Sequence, residues 1–137
     1  MSDQNVELVR RAATAFATGD INQAAEVLDP EVELYPPVED PDVDRVYRGR
    51  EGARTWLENW LEAWEEFEFR VDEVVGADER VVVVFSQRGR GKTSGVEIEN
   101  QLAAVGTLRG GKVVRGELYL DIGEAFRKAG IDRPLDS

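Results

Sequence analysis

The sequence predicts an α+β domain in which N-terminal helices pack in the concave face of a strongly curved, mixed but mostly antiparallel sheet. Three observations predict it. Apolar residues recur at helical spacing up to Trp64 and alternate from Phe67 onward. Four alternating runs follow, separated by short glycine-containing turns, as in a meander of hairpins. Each run has one apolar phase that must be covered, and helices written before the strands are the cover available. If such a sheet curls, its concave side stays partly open as a pocket.

The elements can be justified in order. Residues 3–18 place Val6, Val9, Ala13 and Phe16 at helical spacing with charges between them. Asp20, with Gln23 three residues on, reads as the N-cap of a short second helix burying Ile21, Ala24 and Leu28. Residues 31–35 form a short strand stopped by Pro36 and Pro37. Residues 38–48, with Glu39, Asp40, Asp42 and Asp44, have no period and read as a solvated loop over the pocket mouth; the ligand spacing and glycine of a calcium loop are missing. Residues 49–51 open a third helix carrying Trp56, Trp60 and Trp64 at i, i+4, i+8. Strands are expected at 67–75, 80–90, 96–108 and 112–121, and a capping box of Asp121 and Glu124 opens a last helix that ends at Gly130. One domain over residues 1–137 accommodates all of this, near the commonest domain size.

The apolar phase of each strand names the concave face. It comprises Phe67, Phe69, Val71 and Val75; Val81, Val83 and Phe85, continuing to Gln87; Ile98, Leu102 and Ala104, interrupted by Asn100; and Val114, Gly116, Leu118, Leu120 and Ile122. Gln87 and Asn100 are thus polar residues on an apolar face. A buried amide without a partner costs about 1–3 kcal/mol, so they bond each other, a buried water or a ligand. The opposite phase is charged, with Arg88, Glu97, Glu99, Arg115 and Glu117, but also holds Val82, Val84 and Tyr119. It is either a solvated face or a homodimer interface, and those three residues point to the dimer.

Composition removes several functions. With no histidine and no cysteine among 137 residues, there is no imidazole base, Ser-His-Asp triad, thiolate nucleophile or disulfide, and no metal or cofactor is expected. A net charge of −11 argues against nucleic acid and anionic membranes as partners. No apolar run approaches the ~20 residues that span a bilayer, and the N-terminus lacks a signal-peptide pattern, so a cytoplasmic location is expected.

The order of short motifs is informative: ATGDI from Ala17, DPEVEL from Asp29, YRGREG from Tyr47, GRGKTSGVE from Gly89, GKVVR from Gly111 and YLD from Tyr119. On these the chain resembles the SnoaL-like branch of the nuclear-transport-factor-2-like superfamily over residues 6–131. The resemblance implies the cystatin-like α-β cone fold, which hosts isomerases, cyclases, epoxide hydrolases, dehydratases and non-catalytic binding proteins. It brings no complete catalytic set. Tyr35, before Pro36, stands where ketosteroid isomerase-like members carry their aspartate, and Ala12 lies near their oxyanion-hole tyrosine. Phe85, Gln87 and Leu118 stand where limonene epoxide hydrolase-like members carry Asp-Arg-Asp.

The same resemblance turns Glu33 and Tyr35 toward the pocket, where alternation alone leaves the facing of that strand open. Glu33 is then the candidate general base, its pKa raised by desolvation, and Tyr35 a hydrogen-bond donor to a developing oxyanion. Phe16, Trp56, Trp60, Phe85, Gln87, Asn100, Leu118 and Leu120 are the candidate ligand-binding residues. Two functions follow. One is a binding domain for a small, mostly apolar or amphipathic molecule; the other is a cofactor-independent isomerase, cyclase or hydrolase using Glu33 and Tyr35.

Overall fold

Six strands form one curved sheet in the order β2-β1-β6-β5-β4-β3 in the computed structural model, which describes residues 2–36 and 46–132. Helices α1 (Ser2–Ala17) and α2 (Ile21–Glu26) lead into β1 (Leu28–Tyr35); β2 (Tyr47–Arg48) and α3 (Gly49–Glu62) follow. Strands β3 (Trp64–Ala77), β4 (Arg80–Gly91), β5 (Glu97–Arg109) and β6 (Lys112–Tyr119) make the meander, and α4 (Ile122–Ala129) closes the chain. The sheet is mixed because β1 runs parallel to β6, while every other neighbouring pair is antiparallel.

Local chemistry sets the boundaries. Asp20 Oδ1 accepts from the Gln23 N–H and Asp121 Oδ1 from the Glu124 N–H, so both expected caps start their helices. Strand β1 stops at Tyr35, directly before Pro36. Gly49 (φ 75°) turns β2 into α3, and Gly130 (φ 71°) is the left-handed C-cap of α4. Strand β2 is an addition, formed within the stretch expected to be loop. The acidic residues Glu39, Asp40, Asp42 and Asp44, and any lid they form, lie outside the described residues.

The concave core joins Val9 of α1, Ala53 of α3 and Val32, Val81, Val83, Phe85, Leu102 and Leu108 of the sheet. Val32, Val81 and Leu108 are fully buried. The phases of β4 and β5 run as alternation demands. Those of β3 and β6 do not, because each carries a bulge. Val71 pairs with Phe85 and Glu73 with Val84, so Asp72 is an extra residue; Val74, not Val75, joins the concave core. Thr107 pairs with Arg115 and Leu108 with Val113, so Val114 is extra and Val113 takes its place in the core. A further correction concerns Trp64, which is the first residue of β3 and not a third step of the tryptophan row; α3 ends at Glu62.

The convex face is only half open. Helix α4 lays Ala125, Phe126 and Ala129 on Val82, Val84, Ala103 and Val105, with Val75, Tyr119 and Ile122 around them. The apolar residues expected to attract a second copy of the chain are therefore covered by the chain's own last helix, and Ile122 belongs to this cluster and not to the pocket. The uncovered half is charged and internally paired: Arg88 Nη2 meets the Glu68 carboxylate at 2.8 Å, and Asp72 accepts from Arg70, Ser86 and Gln101.

Candidate functional site

A cavity of about 740 Å³ opens between α1, α3 and the concave sheet. All eight residues singled out as candidate ligand contacts line it: Phe16, Trp56, Trp60, Phe85, Gln87, Asn100, Leu118 and Leu120. Helical spacing delivers Phe16 from α1 and the two tryptophans from α3; alternation delivers Phe85 and Gln87 from β4 and Asn100 from β5. The aromatic wall is mutually braced. Phe69 stacks on Phe85 at 4.8 Å between centroids and meets Phe16 edge-on at 5.0 Å, while Tyr47 stacks on Trp56 at 5.6 Å. Leu120 is half exposed, at the cavity's rim.

The polar groups of the lining are few. Gln87 is 3% exposed, and its Oε1 accepts a 3.2 Å hydrogen bond from Trp60 Nε1. Asn100 is its register partner across β4 and β5 and is itself exposed. Asn59 and Tyr47 complete the set. Sequence reading missed these last two: Asn59 because the tryptophan pattern drew the eye to its neighbour, Tyr47 because β2 is only two residues long. No aspartate, glutamate, lysine or arginine lines the cavity among the described residues.

Glu33 and Tyr35 are not in it. Strand β1 turns Val32 and Leu34 inward, at 0% and 7% exposure, because the parallel register sets Leu34 beside Gly116 of the concave face. The expected facing is thereby reversed, and Glu33 and Tyr35 stand on the convex side. There the Glu33 carboxylate accepts from Tyr35 Oη at 2.9 Å and from Arg48 Nη1 at 2.6 Å. The Tyr35 ring lies under the Arg115 guanidinium, 4.5 Å from its carbon to the ring centroid. The hydrogen bond to Glu33, then burial and the Glu33 charge, hold the Tyr35 phenol above its ordinary pKa, with Arg115 and Arg48 opposing. These side chains stabilise the sheet's outer surface; they do not reach a ligand in the cavity.

A second, more polar depression of about 930 Å³ is lined by Glu68, Arg70, Ser86, Arg88, Glu99 and Gln101 among others. Asp72, which is bonded to three of these residues, is pushed up by partial burial and pulled further down by the hydrogen bonds from Ser86, Gln101 and Arg70, so its pKa ends below the ordinary value. Among the described residues there is no cluster of three or more side chains able to hold a metal ion, and no helix is long and apolar enough to cross a membrane.

The SnoaL-like domain model matches residues 9–116, which hold most of this cavity's lining. The chain belongs to the SnoaL-like family. Solved structures with the same fold include an NTF2-like protein from Burkholderia xenovorans LB400, 26% identical, covering 93% of this chain and 96% of its own, with a TM-score of 0.73. A protein from Jannaschia sp. CCS1 described as a SnoaL-like polyketide cyclase is 21% identical, covers 97% of this chain and 95% of its own, and has a TM-score of 0.76. TerC, co-crystallised with polyporic acid, is 21% identical over 92% of this chain and 97% of its own, with a TM-score of 0.73. No curated protein matches the chain.

Proposed function

We propose that this SnoaL-like chain is a binding domain for a small, mostly apolar and uncharged molecule held in the concave cavity. One observation carries the reading: the lining offers aromatic and aliphatic walls with a few amides and no charged side chain among the described residues. Such a site desolvates an ion without pairing it, which is strongly unfavourable, whereas a neutral ligand loses little. The volume is in the usual range for small-molecule sites. TerC, a protein of this fold co-crystallised with polyporic acid, is a precedent for a small organic molecule as the partner.

The cyclase description of the Jannaschia relative favours a second reading, catalysis on such a ligand. It lacks its proposed base here, since Glu33 is engaged by Arg48 and Tyr35 on the other face of the sheet. Tyr47 is the one ionisable side chain of the described lining. Binding is therefore the reading the geometry supports best. The test is an NMR titration with phenanthrene and with phenanthrene-9-carboxylate. The neutral compound is expected to shift resonances of Trp60, Phe85 and Gln87 and to bind at least about tenfold tighter than the anion. Equal binding of the two, or shifts confined to the convex face, would sink the proposal.

A further inference from the structure

The hydrogen bond between Trp60 and Gln87 has a consequence for ligand choice. An indole N–H only donates, so the oxygen end of the Gln87 amide must be the end that faces Trp60. The amide is thereby fixed in one of its two orientations, and its –NH₂ end is turned away from the indole. Among the described residues nothing in the chain accepts from that nitrogen. Trp64 Nε1 is the side-chain polar atom that is both fully enclosed and unpartnered among these residues, so Gln87 Nε2 retains access to the space the residue lines. Gln87 lines the concave cavity and also borders the polar depression, and the indole that fixes its amide belongs to the cavity wall.

Resting on the binding reading above, we propose that the cavity selects neutral, flat ligands bearing a carbonyl-type hydrogen-bond acceptor, with Gln87 Nε2 as the donor. Flatness comes from the neighbours of the amide. Phe69 is the register partner of Gln87 across β3 and stacks on Phe85, and the Trp60 indole bonds the amide itself, so aromatic rings bound the donor's surroundings. The acceptor requirement comes from satisfaction. A ligand without one displaces water from Nε2 and leaves a buried donor unpaired, whereas a carbonyl replaces the lost hydrogen bond. Asn100, opposite Gln87 in register and exposed, can turn either end of its amide to the ligand and imposes no such choice. Trp60 therefore acts as a positioning residue and Gln87 as the one that reads the ligand.

The experiment compares 2-acetylnaphthalene with 2-ethylnaphthalene, which has nearly the same shape and no acceptor. Affinities are measured by titration of ¹H–¹⁵N spectra, in which the Gln87 side-chain amide is itself visible. The ketone is expected to bind about tenfold tighter and to move the Gln87 Nε2 protons downfield. In Gln87→Leu, and in Gln87→Met should the leucine variant fold poorly, the two compounds are expected to bind alike. In Trp60→Phe, which frees the amide to turn and trims the wall for both compounds alike, the ratio of ketone to hydrocarbon affinity is expected to fall several-fold. Equal affinities in the unaltered chain, or a ketone preference that survives replacement of Gln87, would overturn the acceptor inference alone. Failure of both compounds to bind would overturn the cavity reading beneath it.

Discussion

Leu34 rests on the bare backbone of Gly116: a Cβ at position 116 would lie 2.7 Å from Leu34 Cδ2. The two residues are register partners in the one parallel pair of the sheet, and both face the cavity. Gly116→Ala is expected to destabilise the fold by about 1–3 kcal/mol, because Leu34 is buried and must leave its rotamer to make room. Urea unfolding would measure this. A double variant with Leu34→Ala should recover much of the loss relative to Leu34→Ala alone, and a cost of Gly116→Ala that does not depend on residue 34 would contradict the contact.

Ala13 offers the opposite experiment. It lies on α1 and lines the cavity, so Ala13→Leu adds three carbons to empty space without changing helix propensity much. The expected result is a gain of up to about 2 kcal/mol in stability, from roughly 0.8 kcal/mol per buried methylene, together with weaker binding of phenanthrene. Stability and affinity moving in the same direction would mean that the side chain does not enter the cavity.

Phe126 is the centre of the α4 cover and is 2% exposed. Phe126→Ala should cost about 3–5 kcal/mol, a large share of the stability of a small domain. It should also loosen α4 and bare Val82 and Val84, so sedimentation is expected to show more self-association than the unaltered chain shows at the same concentration. A variant that associates no more than the unaltered chain while its α4 amides exchange rapidly would refute the covering role.

Tyr119 gives an alkaline signature. Burial, then its hydrogen bond to Glu117 and the charges of Glu117 and Glu124, push its phenol up to about 12 from an ordinary 10.0, against Arg115. The neutral phenol is thus favoured by folding. Its contribution is complete below pH 10 and is lost as pH rises from about 10 to 12. Phenolate absorbance should show late-titrating tyrosine, with the part that titrates at about 12 lost in Tyr119→Phe, and the variant's urea midpoint should fall less steeply over that window.

Asp72 behaves in the reverse sense. Its pKa lies below the ordinary 3.8, burial being outweighed by Ser86, Gln101 and Arg70. Its charged form is favoured by folding, so the stabilisation is present at neutral pH and disappears as pH falls below 3.8. The stability gap between the unaltered chain and Asp72→Asn should therefore narrow on acidification, as urea midpoints at pH 7 and pH 3 would show; a gap independent of pH would count against it.

These cases also show what the sequence makes legible. Strands β4 and β5 pair without interruption from Arg80–Thr107 to Arg90–Glu97, so plain alternation places Phe85, Gln87, Asn100 and Leu102 on the right face. The cavity-lining residues of these two strands were legible for that reason. Strands β3 and β6 defeat the same logic because an inserted residue has no hydropathic mark: Val75 and Val74 are both valine, as are Val114 and Val113. Trp64 continues a helical row by coincidence of spacing. Glu33 and Tyr35 were turned inward by analogy, whereas the facing of β1 is decided by its parallel pairing with a strand about eighty residues later, which no local pattern encodes. The convex valines looked sticky because a cover written last in the chain cannot be seen from the strands it covers.

The bulges at Asp72 and Val114 also bear on which length changes this chain tolerates. A residue gained or lost at the Gly110-Gly111 turn changes only a loop. A deletion at position 72 or 114 would remove the bulge and leave the facing of its neighbours unchanged: Val71 and Val74 stay inward with Glu73 outward between them, and Val113 and Gly116 stay inward about Arg115. A deletion within a regular stretch of the same strand would instead exchange inward and outward side chains over part of that strand. Family members that differ in length at these two points should therefore keep the alternation of the strand, and single-residue deletion scanning should find positions 72 and 114 more forgiving than their strand neighbours.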